Sequence, residues 1–313
     1  MRPGAGRVLL RNTQGQGAHQ HNRAGGVIVK TIAEALGGLL SHQPRWVTAI
    51  ILIPALYGLG WLMAQPIAYL IPGSSPPRLS LIGTVITFVL FILVLPSWVR
   101  QRWNSRQPWL TLGVRSRRGE SSAGSCLIQG LLRSAGLLAL ICLPLLLGSW
   151  GRWLGELTTG DVINALLLCF GLGLAEELLF RGWLWGELNA LTGPRTAVIG
   201  QAVIFSLAHT RFDQGFLPMV GLLTGLLLLG LILAVQRRLD SGCLWGCVGL
   251  HGGLVGGWFA LRSGLLQVSP SAPDWLIGPG GAHANPLGGL VGIIALSVLL
   301  WRQLTALAKA ARP

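Results

Sequence analysis

Charge is what this sequence has least of. Asp, Glu, Lys and Arg together make up 11% of its 313 residues, against about 25% in soluble proteins, too few for a surface facing water. A soluble enzyme and a soluble DNA-binding protein are thereby excluded. Acids are the scarcer sign, ten against 24 Lys and Arg, which leaves a net charge of +14. Cysteine is sparse and odd in number. Cys126, Cys142, Cys169, Cys243 and Cys247 lie in or beside apolar stretches, so a complete disulfide framework is excluded and small buried side chains are expected. Cys243 and Cys247 stand one helical turn apart, but no second Cys or His pair is near enough to complete a metal site. The first residues hold no apolar core long enough for a cleavable signal peptide. No internal repeat suggests a transporter built of inverted halves, and no His-Glu-xx-His spells out a zinc protease.

What the sequence has in abundance is apolar runs. Hydrophobic residues make up 51%, and the mean hydropathy is +0.60. Eight segments, 46–71, 79–99, 126–149, 162–190, 195–211, 216–236, 244–261 and 286–308, are long enough, or nearly so, to cross about 30 Å of hydrocarbon at about 1.5 Å per residue. Turn chemistry separates them, as in Pro72-Gly73-Ser74-Ser75-Pro76-Pro77, Thr192-Gly193-Pro194 and the Ser, Pro and Gly-rich stretch 269–281. The expected fold is all-α, a polytopic membrane protein of about eight transmembrane helices around an intramembrane polar site. Ahead of it, residues 1–26 are rich in Gly and Arg without an acid; they are expected to be disordered or to precede the true start codon. Residues 27–43 place Ile32, Leu36, Leu39 and Leu40 at helical spacing, as a short interfacial helix would.

The basic surplus divides by side. With a cytoplasmic N-terminus, 17 of the 24 Lys and Arg fall in cytoplasmic segments and only Arg78, Arg152, Arg211 and Arg262 in loops of the other side. That asymmetry follows the positive-inside rule and predicts an integral membrane protein with both termini cytoplasmic. It reports orientation, and no nucleic-acid partner is expected. Trp46, Trp98, Trp150, Trp183, Trp185 and Trp301 near segment ends fit the aromatic belt.

Against that background three polar features stand out. Glu176 and Glu177 are adjacent within the fourth apolar segment, where each carboxylate costs roughly 2.5 to 3.5 kcal/mol to insert. Arg181, four residues past Glu177, is placed for an ion pair, while Glu176 points about 100° away and has no local partner. His209 ends the fifth segment after Phe205. Glu176 lies 17 residues before the turn at Gly193 and His209 16 after it, so an antiparallel hairpin brings them to one depth. His251 lies early in the seventh segment, followed by Gly252, Gly253, Gly256 and Gly257, whose bare face admits either a packed helix or an extended peptide. For His251 to reach the depth of Glu176, the hairpin of segments four and five must project beyond the bilayer.

Glu176-Glu177-xxx-Arg181, Phe205-xxx-His209 and the Leu, Trp and Gly-rich helix around His251 resemble the motifs of the CPBP family, the CAAX prenyl proteases and bacteriocin-processing proteins also called Abi. The motif-bearing stretch runs from about 160 to 260, and Leu112-Gly113-Val114-Arg115 resembles a Leu-Gly-Leu-Arg often found before the third segment. The resemblance implies an intramembrane endopeptidase acting on a membrane-associated protein or peptide near the cytoplasmic face, with the bilayer as its other partner. It implies Glu176, Glu177, His209 and His251 as catalytic residues, supported by Arg181 and Phe205. Glu176 and His209 would activate a water and His251 would hold the oxyanion. A metal-dependent version uses Glu176, His209 and His251 as ligands of one divalent ion such as zinc. The sequence departs from the family at Val255, where Asn or Asp is usual; a non-catalytic scaffold that stabilises a membrane partner is the alternative function, and an ion pathway through the two acids is the third. Four regions follow: an N-terminal extension 1–45, three helices and a basic loop over 46–150, the CPBP-like core 151–265, and a loop with a final helix over 266–313.

Overall fold

The computed structural model describes residues 46–70, 75–116, 122–278 and 285–310. The extension 1–45 and its expected interfacial helix lie outside them. All eight apolar segments are helices: α1 Trp46–Leu70, α2 Pro76–Arg102, α3 Ala123–Leu147, α4 Thr159–Thr192, α5 Pro194–Ala208, α6 Phe216–Leu239, α7 Trp245–Ala260 and α8 Leu290–Ala310. Among the described residues six of these, α1, α2, α3, α4, α6 and α8, are long and apolar enough to cross a membrane. The fifth and seventh expected crossings are shorter. α5 has 15 residues, and the 16 of α7 are continued by a π-helical turn, Leu261–Leu265.

Helix ends follow the local chemistry. Pro76 and Pro77 open α2, where a missing N–H costs nothing. The Ser122 hydroxyl accepts the Ser125 amide at the start of α3. Thr158 and Asp161 form a reciprocal capping box at the start of α4. Gly193, at φ +87°, ends α4 in a conformation that a side chain would strain, and Pro194 restarts the chain as α5. This is the antiparallel hairpin expected from Thr192-Gly193-Pro194.

Packing around α7 sets the core. α7 runs parallel to α3, with Gly130 against Gly246 and Gly249, Ser134 against Gly253 and Leu138 against Gly257. It runs antiparallel to α4, with Gly173 and Cys169 against Gly252 and Ala165 against Gly256. Helices that alternate across a bilayer must have these relative directions. A Cβ on Gly252 or Gly256 would collide with a carbonyl oxygen of α4, so the glycine face is filled by the protein's own helices rather than left open to a peptide. Phe180, Phe205, Leu229, Leu233, Leu250 and Leu254 are buried at the centre. The outer faces expose Ile50, Leu81, Leu93, Leu132, Ile199 and Leu304, as lipid-facing helices do. A two-stranded antiparallel ribbon, Gly151–Trp153 with Leu266–Val268, joins the ends of α3 and α7. The sequence reading had no strand there.

Candidate active site

α4 is a 34-residue helix whose middle is irregular. A regular turn, Gly173–Glu177, is flanked by two π-helical segments, Leu167–Leu172 and Leu178–Leu184. Wide turns of this kind occur mostly as local insertions, frequently at functional sites. The regular turn carries Glu176 and Glu177.

The two acids part company as their spacing predicted. Glu177 is fully buried and its Oε1 accepts from Arg181 Nη1 at 2.8 Å, also fully buried. The same oxygen lies 2.8 Å from His251 Nδ1. Glu176 is 21% exposed, and its Oε2 stands 3.5 Å from His209 Nε2 and 3.7 Å from His251 Nε2. The structure thus brings Glu176, Glu177, Arg181, His209 and His251 together around one point.

Both imidazoles are held in the same sense. His209 Nδ1 lies 2.7 Å from the Phe205 carbonyl, which only accepts, so this nitrogen carries the proton and Nε2 is left to face Glu176. His251 Nδ1 is held likewise by the Glu177 carboxylate, and its Nε2 also faces Glu176. Phe205, fully buried, braces the group. Its ring lies 4.8 Å from that of His209 and 5.5 Å, edge to face, from that of His251. The Arg181 guanidinium stacks on it at 4.1 Å, a geometry that attracts a cation to the ring.

Charge in this pocket is nearly balanced. Two carboxylates and one guanidinium leave one negative charge when both histidines are neutral, and a single imidazolium cancels it. The 3.5 and 3.7 Å separations exceed the roughly 2.7 to 3.2 Å of a direct N–H···O bond and suit groups that share a third partner. Two imidazole nitrogens and a carboxylate are donors that zinc accepts. Even so, among the described residues no three His, Cys, Asp or Glu side chains are placed to hold one ion. The second carboxylate, Glu177, is committed to Arg181 and His251 Nδ1 and adds no ligand to that set. Cys243 and Cys247 go separate ways, Cys247 to the Leu233 carbonyl and Cys243 to Ser116.

Several supporting residues escaped the sequence reading. Arg237 donates to the backbone carbonyls of Arg181, Thr111 and Gly242, tying α6 to the wide turn of α4. Glu187 is buried beyond the site on α4, where its carboxylate pairs with Arg102 at 3.0 Å and accepts from the indoles of Trp98 at 2.6 Å and Trp103 at 2.7 Å. A lone acid near the end of an apolar segment gave no signal, although Trp98, Arg102 and Trp103 at i, i+4 and i+5 marked a helix face able to receive it. Val255, half-buried, offers no polar group to the site.

Glu176 and His251 meet with α4 and α7 antiparallel.

Residues 158–256 match the family described as type II CAAX prenyl endopeptidase Rce1-like. Residues 24–107 match a domain of unknown function, DUF8676. No curated protein matches the chain.

Proposed function

We propose that this chain, whose residues 158–256 match the Rce1-like type II CAAX prenyl endopeptidases of the CPBP family, is an intramembrane endopeptidase that hydrolyses a peptide bond of a membrane-associated protein or peptide near the cytoplasmic face. The observation that carries the proposal is the convergence of His209 Nε2 and His251 Nε2 on Glu176 Oε2, with each Nδ1 already engaged.

In this reading a water lies between Glu176 and His209. Glu176 takes its proton as the oxygen attacks the scissile carbonyl carbon, and the carbonyl π pair moves onto the carbonyl oxygen. That oxyanion is held by Nε2–H of a His251 imidazolium, whose charge is balanced by Glu177 at Nδ1. When the C–N bond breaks, the amine leaves with the proton from Glu176. Arg181 and Phe205 position Glu177 and both imidazoles. Glu176 and His209 are the exposed members, at 21% and 30%, and Phe212, Phe216 and Leu217 beside His209 present apolar surface against which a lipid-embedded substrate can lie. Both chain termini are assigned to the cytoplasmic side on the distribution of Lys and Arg.

The test is cleavage of membrane-anchored peptides by protein reconstituted in vesicles, with products identified by mass spectrometry. Wild type yields a discrete cleavage product, and Glu176→Ala and His209→Ala yield none while inserting and folding normally. Undiminished cleavage in either variant removes the assignment. Val255 favours a second reading, a non-catalytic member that grips a membrane partner through the same pocket. For that reading the expected result is a partner retained by wild type, released by Glu176→Gln and never cut.

A further inference from the structure

A second charged feature lies on the segment between α2 and α3. Arg100, in the last turn of α2, and Arg106 and Arg115, in the connection that follows, line one cavity of about 650 Å³ with Gln107, Pro108, Trp109, Leu110 and Ser116. No acid is among the lining residues. All three arginines are exposed, and among the described residues none of their guanidinium groups has a hydrogen-bond or ion-pair partner. This differs from Arg102 on the same turn, which is buried against Glu187. One cation at the end of α2 is accounted for by the helix dipole and by orientation of the chain. Neither effect asks three of them to share a single cavity, where like charges repel.

The cavity is also built on a fixed frame. Arg115 N donates to the Trp109 carbonyl at 3.1 Å, Leu244 N to Gly113 at 2.8 Å, and the Trp245 indole to Val114 at 2.9 Å. The loop is thus fastened to Leu244 and Trp245 at the start of α7, a little under two turns before His251. It begins at the end of a 27-residue helix long and apolar enough to cross a membrane, where headgroups follow a hydrocarbon core of about 30 Å, and half-buried Trp109 and Leu110 give the cavity an apolar wall.

We propose that Arg100, Arg106 and Arg115 form a binding site for a phosphate-bearing anion, its phosphate held by the guanidinium groups and the rest of the molecule against Trp109 and Leu110. Guanidinium forks match phosphate oxygens in pairs, and basic pockets beside membrane helices recognise anionic headgroups. Two sources share this chemistry, the headgroup of an anionic phospholipid and a free phosphate ion. The apolar wall and the position at the end of α2 favour the lipid.

The experiment uses the full chain in detergent micelles, where orientation across a bilayer plays no part. Binding is measured by the shift in unfolding temperature and by native mass spectrometry with short-chain phosphatidylglycerol, short-chain phosphatidylcholine or inorganic phosphate. The expected result is tight binding of phosphatidylglycerol, weak binding of phosphatidylcholine, and a loss on the order of a hundredfold for the triple variant R100Q/R106Q/R115Q at low salt. R100K/R106K/R115K keeps the charge but not the paired guanidinium contacts, so its binding falls between wild type and R100Q/R106Q/R115Q, which separates loss of the site from loss of the fold, and Arg262→Gln is the control for a surface arginine outside the cavity. Inorganic phosphate bound as tightly as the lipid assigns the site to the free ion. Equal binding of the two lipids with no response to phosphate, or an anion preference that survives R100Q/R106Q/R115Q, overturns the proposal.

Discussion

Replacing Arg181 by Met removes a fully buried cation and leaves Glu177 with His251 alone. Breaking a buried pair from one side costs about 3 to 5 kcal/mol, because the remaining charge is uncompensated, and the lost stacking on Phe205 adds about 1 kcal/mol. Two features act in the opposite direction. Arg181 Nε and Nη2 have no hydrogen-bond partner among the described residues, so Met removes part of a desolvation penalty along with the attraction. His251 Nδ1, 2.8 Å from Glu177, also still donates to the carboxylate once Arg181 is gone. The net expectation is a loss of about 2 to 4 kcal/mol for Arg181→Met, a similar loss for Glu177→Gln, and a loss well below the sum for Glu177→Gln/Arg181→Met. The coupling should be at least about 2 kcal/mol. Equilibrium unfolding of the detergent-solubilised protein measures all three. Additive losses, or an Arg181→Met variant within about 0.5 kcal/mol of wild type, would refute the view that this pair is held as a unit.

Three further outcomes follow from the packing. Glu187→Ala takes the acceptor away from Arg102, Trp98 and Trp103 at once and should cost about 3 to 5 kcal/mol in the same unfolding assay. Gly252→Val sets a side chain against the Cys169 carbonyl; spreading α4 from α7 should destabilise by about 1 to 3 kcal/mol or more and weaken cleavage, whereas Gly136→Ala, with open space around it, should do neither. Burial pushes the Asp240 carboxyl above its ordinary value. A raised folded-state pKa means that its contribution is fully present below the unfolded pKa and is lost as pH rises through the folded one, so stability should fall across that acidic window and Asp240→Asn should remove this part of the pH dependence.

How much of this was legible in the sequence follows from which forces act locally. The eight helices were readable because lipid selects uninterrupted apolar residues, and the break at Gly193-Pro194 because both residues restrict the backbone. The meeting of Glu176 with His209 was readable from a count of residues on either side of that turn, and the Glu177–Arg181 pair from its spacing. The two π-helical segments of α4 were not, since Leu167–Leu172 and Leu178–Leu184 carry no local signal and the register is settled by what α4 packs against. The glycines of α7 allowed two occupants, and only the positions of Cys169 and Ser134 decided for the protein's own helices. Glu187 was missed because its three partners lie on another helix. The ribbon of Gly151–Trp153 with Leu266–Val268 was missed because its strands are three residues each and far apart in the chain.

The central claim is that Glu176, flanked by His209 and His251, directs a water at a peptide bond. A single-turnover cleavage in ¹⁸O-labelled water, with wild type and Glu176→Gln side by side, tests it most directly by mass spectrometry of the new carboxyl terminus. The account predicts one labelled oxygen at that terminus for wild type and no product for Glu176→Gln. Labelled product at an undiminished rate from Glu176→Gln, or unlabelled product from wild type, would contradict it.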